Sequence, residues 1–398
     1  MNILFINCTY RLFDGIDCGA ANRSTMFVKA LSKLGHVDVV SFCEATIKSN
    51  IPNCEVIDTT YIKPKYDRSF REKMRSSFRL LLNPFNPMAY YKLDKQCEAI
   101  VDGHFGQKQY DIVACRYIGE AVRCGLQKYS DKLVVDVDDN LTSASLRDYR
   151  MGHFKNMLTK CFALYKAYAI GWMSRCFLKK IRVSFYSNIL EPTAKKSVFL
   201  HNVTSIQAQN KDVTETTPYR LLLVGWLDFD PNKYGALYFV NNVFPKIKSK
   251  IPNVELHIVG KTKDERLRSQ LNSVEGVKAL GFVEDIMAEY ENCRVIIVPV
   301  YQGAGTSVKF VEGLMMNRPM VSTPMGVRGF EVLCRPSREY LLAKDDEEFA
   351  LNVIKLLQNP KLAKNIAYNA YQVGIDNFSA DRFEKIVEDS IKKEFTKS

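Results

Sequence analysis

Two charged residues three positions apart, Lys309 and Glu312, follow a glycine-rich loop made of Gly303, Ala304 and Gly305. A lysine supplies point charge for a phosphate, and a glutamate accepts hydrogen bonds from hydroxyls, so together they suit a ligand carrying both groups. The glycines let backbone approach such a ligand closely. Thr306, Ser307 and Val308 then begin a helix, whose first N–H groups lack partners within the helix and attract anions. Lys309, Glu312 and Met316 recur at i+3 and i+4 spacing, which puts the lysine and the carboxylate on one helix face near the loop.

The loop has to be held by strands. Before it, RVIIVPV (Arg294 to Val300) is an apolar, β-branched run, and after the helix Asn317, Arg318 and Pro319 give way to a short buried strand, MVST. Strand, glycine loop, helix, strand is the order in which α/β proteins bind nucleotides at the carboxyl ends of parallel strands. Further runs read as strands at YRLLLVG, VELHIVG and VKALGFV in the second half. In the first half they are ILFIN, VDVVSF, DIVACR, LVVDVDD and VSFYS. The fold class is therefore α/β, with two doubly wound Rossmann-like domains. The polar stretch Ser205 to Tyr219 reads as the linker between them. The C-terminal segment FSADRFEKIVEDSIKKEF, capped by Ser379 or Asp381, reads as a helix with apolar positions at Phe383, Ile386, Val387 and Ile391. The expected partition is residues 1–204 with 378–398, and residues 205–377.

Composition narrows the classes. With 398 residues and 46% apolar content, the chain can bury two substantial cores. It has no apolar stretch of the roughly 18 residues that a membrane span needs. The opening MNILFINCTY lacks a basic region and reads as an immediate strand, so a cytoplasmic protein is expected. The 11 cysteines have no paired spacing, which argues against a disulfide framework or a zinc site. The net charge of +12 is concentrated: residues 59–92 carry a net +6 and residues 149–190 carry +8 with no acidic residue.

Over Tyr219 to Asn377 the chain closely resembles the retaining glycosyltransferases of family 4, which have the GT-B fold. The match runs in order through VGWLDFDPNKYGALYFVNNVFPKI, IPNVELHIVGK, VKALGFVEDIMAEYENCRVIIVPV and GAGTSVKFVEGLMMNRPMVST. The resemblance implies two domains facing across a cleft, with the C-terminal helix crossing back to the first. The last of these segments is similar to the family's glutamate motif, in which two glutamates lie eight positions apart. It implies that Glu312, the second glutamate, accepts hydrogen bonds from the ribose of a nucleotide diphosphate sugar. The first glutamate position is Ala304, so the loop backbone takes over the sugar hydroxyls. Gly225 corresponds to the turn beside the donor phosphates. The basic residues common after that turn are replaced by Trp226 to Asp230, which leaves Lys309 more of the diphosphate charge. The implied donor site is Gly225, Gly303, Gly305, Thr306, Ser307, Val308, Lys309 and Glu312.

In the first half, DGIDCGAANRSTMF looks like the glycine loop that faces the donor, which implicates Gly19 and Arg23. The segment VVDVDDNLTS falls where many members carry a histidine beside the reacting carbon. Asp138 and Asp139 are accordingly expected to line the catalytic cleft. Two other readings of Asp136, Asp138 and Asp139 are caps for the following segment and a D-V-D site for a divalent ion. No metal and no cofactor are expected, because lysine and helix starts already neutralise the phosphates.

The expected reaction moves a sugar from a nucleotide diphosphate donor to a lipid-linked or glycan acceptor in cell-surface polysaccharide or lipopolysaccharide assembly. The basic segments interleave with Phe70, Phe78, Leu80, Leu81 and Leu82, and then with Phe154, Leu158, Phe162, Trp172 and Phe177. That pattern fits a peripheral surface for anionic lipid on the cytoplasmic face of the membrane. No recognition motif for nucleic acid accompanies the charge. A nucleotide-sugar epimerase of the same fold and a non-catalytic nucleotide-sugar scaffold are the alternative functions.

Overall fold

A computed structural model describes the chain except for residues 14–18, 44–47, 63–69, 84–85, 87–89, 153, 155, 203, 205, 214–215, 304–305 and 396–398. Its contacts divide it into two units, residues 1–201 with 380–398, and residues 202–379.

In the first unit the described residues form a seven-stranded sheet: β1 (Asn2–Asn7), β2 (His36–Ser41), β3 (Cys54–Asp58), β4 (Ile112–Arg116), β5 (Leu133–Asp138), β6 (Val183–Tyr186) and β7 (Val198–Phe199). All pairings are parallel and the order is β3-β2-β1-β4-β5-β6-β7. The apolar runs read from the sequence become strands covered on both faces, as a parallel sheet requires. The short outer strands β3 and β7 carry no comparable run. Pairing slips by one residue between Asp136 and Asp138, because β5 carries one residue more than β6 there. Such a bulge re-aims the side chains beyond it, and Asp138 emerges with a φ of 67°.

The helix Gly19–Ser32 follows β1, and the C-terminal helix Ala380–Phe395 packs against it within the same unit. Phe383, Val387 and Ile391 are buried in that contact, and the Glu384 carboxylate pairs with Lys29 at 3.0 Å and with Lys33. Ile386 is only partly covered.

The second unit contains β8 (Arg220–Val224), β9 (Glu255–Val259), β10 (Val277–Gly281), β11 (Val295–Val298), β12 (Met320–Ser322) and β13 (Leu341–Leu342), also all parallel, in the order β10-β9-β8-β11-β12-β13. Between β8 and β11 the strand order reverses, and in open α/β sheets the loops beyond that point part to leave a ligand crevice. Gly225 ends the one strand. Beyond the other, Pro299 stops the ladder because it has no N–H to give, so β11 ends at Val298 rather than at Val300.

The described residues between 206 and 219 are hydrogen-bonded to the second unit. Gln209 N–H donates to the Met315 carbonyl at 3.0 Å, and Thr217 N–H donates to Asn292 at 3.0 Å. The fully buried Arg318 guanidinium donates to the Lys211 carbonyl at 2.8 Å. A buried guanidinium requires acceptors, and this polar strip supplies one. The strip thus belongs to the second unit.

Candidate functional site

The helix after the glycine loop runs Val308–Met315, two residues later than expected, with Ser307 at its N-cap. The Ser307 hydroxyl makes no capping bond and is buried without a hydrogen-bond partner. A serine oxygen in that position can serve a bound anion together with the helix N–H groups. Thr306 accepts from the Asn202 side-chain amide. Gly303 has a φ of 124°, which favours glycine, and it lies against Pro231. The expected contacts at Ala304 and Gly305 lie outside the described residues.

Lys309 is partly exposed, and its ammonium donates to Asn232 Oδ1 at 2.7 Å. The helix Asp230–Tyr238, with Pro231 in its first turn, delivers that asparagine. Because the amide is neutral, the lysine charge is held in place without being cancelled. Desolvation by the protein packed around it pulls the Lys309 pKa down to about 8, against the opposing pull of Glu312. Gly225 is small for a reason. A side chain there would begin 2.9 Å from the Asn232 amide and 3.1 Å from the Lys309 ammonium, closing the approach to both.

Glu312 is held as firmly. Tyr290, fully buried, donates its hydroxyl to Glu312 Oε2 at 2.5 Å, and Thr204 donates to Oε1 at 3.2 Å. Desolvation raises the Glu312 pKa, opposed by those two hydrogen bonds and by Lys309. Each carboxylate oxygen keeps a second lone pair, so a ligand hydroxyl pair can still be accepted. Lys309 and Glu312 share a face as their spacing requires. Each nevertheless bonds a neutral partner from another element. Asn232, Tyr290, Thr204 and Asn202 were not singled out in the sequence, and only the asparagine, in DPNK just beyond Gly225, lay close enough to a singled-out residue to be noticed.

The charges of the first unit are arranged differently. Arg23 lies in the helix Gly19–Ser32, not in a loop, and is 1% exposed. Its Nε and Nη2 both donate to Asp136 at 2.8 Å, and its Nη1 donates to the Leu200 and His201 carbonyls at 3.0 Å. The resemblance implied a donor contact for Arg23, and the structure places its guanidinium against a carboxylate inside the first unit. Gly19 is the first residue of the same helix.

Asp136 is completely buried and also accepts from Arg116 Nε at 2.9 Å. Burial works against its ionisation, but the two arginines prevail and hold its carboxyl below the ordinary range. Asp136 is therefore unavailable to a metal ion, which removes the D-V-D reading. Among the described residues no group of three or more His, Cys, Asp or Glu is arranged to hold a metal. Asp138 pairs with Arg116 Nη2 at 2.6 Å and is 21% exposed. Its left-handed backbone is strained for a residue other than glycine. Asp139 is half-buried, and the cap of the next helix is Asn140, so neither aspartate serves as that cap.

Residues 218–359 match the family described as Glycosyl transferases group 1. An uncharacterized 44.6 kDa protein in the cps region of Klebsiella pneumoniae is 28% identical over 170 residues, which are 41% of this chain and 43% of that protein. The match thus spans less than half of the curated relative. Among solved structures, sucrose-phosphate synthase from Thermosynechococcus elongatus superposes with a TM-score of 0.68 at 14% identity, covering 100% of both chains. Anabaena HepE, in complex with UDP and glucose, gives a TM-score of 0.65 at 14% identity over 98% of this chain and 99% of that one. These likenesses establish the fold, two Rossmann-like domains of the GT-B kind.

Proposed function

We propose that the chain is a retaining glycosyltransferase of family 4 that moves a sugar from a nucleotide diphosphate donor, bound by the second unit, to an acceptor held by the first. One observation carries this reading. Within the stretch that matches a glycosyltransferase family, the uncancelled Lys309 cation stands on the same helix face as a carboxylate fixed by Tyr290 and Thr204. Ribose hydroxyls suit Glu312, and the diphosphate suits Lys309, the N–H groups at Val308 and the Ser307 hydroxyl.

Negative charge grows on the diphosphate as the glycosidic bond breaks. A cation already in place and helix N–H groups already aimed stabilise that charge without reorganising. Asp138 and Asp139 are assigned to the catalytic cleft. Arg116 fixes the orientation of Asp138 through its ion pair at 2.6 Å.

The acceptor is proposed to be lipid-linked or a growing polysaccharide. The relative from a cps region supports assembly of cell-surface polysaccharide. No helix among the described residues is long and apolar enough to cross a membrane. A peripheral attachment is proposed instead, on the cytoplasmic face. Its support is the helix Phe70–Leu82, which exposes Phe78, Leu81 and Leu82 beside Arg75 and Arg79, and the helix Met157–Leu178, which exposes Met157 and Leu158 near Lys160. Leu80 and Phe177 are buried and take no part. Lys63, Lys65, Arg68 and Lys155 lie outside the described residues.

A thermal-shift screen against nucleotide sugars tests the core of this reading, since a ligand of the folded state raises the melting temperature. The expected result is a shift with one nucleotide series that disappears in Lys309→Met; no shift with any nucleotide sugar refutes the reading. Lipid attachment is tested separately by co-sedimentation with vesicles containing phosphatidylglycerol. Binding that fades with salt and falls in Arg75→Ala/Arg79→Ala is expected, each residue contributing about 1 kcal/mol. Indifference to vesicle charge removes that part.

A further inference from the structure

Trp226 follows Gly225 directly and is 48% exposed, in a turn where Phe229 is 51% exposed. Exposed single aromatics are ordinary on protein surfaces, but this one is fixed in place. The Asn232 amide that accepts from Lys309 donates from its nitrogen to the Trp226 carbonyl at 3.0 Å. The indole N–H donates to Asp228 Oδ2 at 3.4 Å. Asp228 is in turn clamped by the Thr262 hydroxyl at 2.8 Å and by the Lys263 N–H at 3.0 Å. Hydrogen bonds therefore run from the Lys309 ammonium through Asn232 to the Trp226 backbone, and a separate bond to Asp228 orients the indole.

The path has a direction. On the Lys309 helix, Glu312 lies on the side that suits ribose, and Asn232 leads from Lys309 toward Trp226. A ligand laid along Glu312 and Lys309 with its phosphates at the lysine brings the group beyond those phosphates to the indole. The charges of the turn also select. Asp228 and Asp230 flank the two aromatics and disfavour a further anion, whereas carboxylates and aromatic faces together suit a ring with hydroxyls on its edge and C–H groups on its face.

We propose that Trp226 is a stacking platform for the pyranose of the donor, and that the platform selects neutral sugars over uronic acids. This deepens the nucleotide-sugar reading and rests on it.

The chain has two tryptophans, so in Trp172→Phe the emission reports Trp226 alone. That protein is titrated with UDP, UDP-glucose and UDP-glucuronate, and with GDP and GDP-mannose, while binding is followed independently by calorimetry. The expected result is that a neutral nucleotide sugar changes the emission and its parent nucleotide does not. Trp226→Ala is expected to weaken the nucleotide sugar by about tenfold and the nucleotide by less than about twofold. UDP-glucuronate is expected to bind more weakly than UDP-glucose. An equal emission change with nucleotide alone assigns the indole to the base and overturns the proposal. Calorimetric binding of the sugar with silent emission also overturns it and leaves the glycosyltransferase reading standing. Absence of binding by every nucleotide and nucleotide sugar overturns both.

Discussion

The two units treat fully or partly buried charge in opposite ways. Arg23, Arg116, Asp136 and Asp138 form a closed ionic network in which each guanidinium meets a carboxylate and Asp136 receives both. Lys309 and Glu312 have no such closure, since the lysine bonds an amide and the glutamate bonds two hydroxyls. Cancelled charge holds a fold in register. Charge that is oriented but left uncancelled is available to a ligand, and the protein carries a desolvation cost until one binds.

The largest effect expected from that contrast is on stability. Asp136→Ala leaves two arginines facing each other in the core and should cost about 3–5 kcal/mol in urea unfolding. If Asp136→Ala does not yield soluble protein, Arg116→Met replaces it as the more conservative break. A loss under about 1 kcal/mol in either would erase the distinction. By contrast, Lys309→Met should leave stability unchanged or higher while weakening nucleotide diphosphate binding by roughly 10- to 100-fold, the range for hydrogen bonds to charged groups. Equal damage to folding and binding would make Lys309 structural.

Titration separates the two regions next. The folded Lys309 value of about 8 lies below the ordinary 10.5. Between these values the unfolded chain holds more protons, so the lysine makes stability rise with pH across that window, and its cost is fully present below it. Nucleotide affinity should fall over the same range as the free protein loses its ammonium. Calorimetry from pH 7 to 9.5 checks this, and a flat profile, or one that persists in Lys309→Met, contradicts it. Asp136 has the opposite sign. Its stabilisation is complete above the unfolded carboxyl pKa and is lost as pH falls through the depressed folded value.

The smallest effect is at the hydroxyls that hold Glu312. Tyr290→Phe and Thr204→Val each remove one donor and should weaken nucleotide binding by roughly 2- to 10-fold. The free ribose-lacking ligand pyrophosphate should be unaffected by either change. Comparable losses with pyrophosphate would show a general collapse of the pocket rather than a misdirected carboxylate.

Much of this was legible in the chain. The apolar runs that read as strands are β1, β2, β4, β5, β6 and β8 to β12, because a strand buried on both faces needs an unbroken apolar stretch and such stretches are short-range signals. β3, β7 and β13 were missed, the last two being two-residue strands at a sheet edge. Lys309 and Glu312 were legible because a glycine loop followed by a helix is a local arrangement. The partner of Arg23 was not legible for a related reason. The arginine's neighbours resemble a loop, and nothing within a few residues of it announces Asp136, which lies 113 positions away.

The sequence alone determined which segments are strands, where the glycine loop meets a helix, and that a lysine and a glutamate share that helix face. Only the tertiary structure decided which charges are cancelled. A side chain's partner is chosen by sheet order and by the element packed across from it, so Asn232 reached Lys309 and Tyr290 reached Glu312 through the β8–β11 neighbourhood. The same logic delivered Asp136 to Arg23. Periodicity fixes the face a residue occupies, whereas the dielectric surroundings and counter-charge that set its chemistry come from residues distant in the chain.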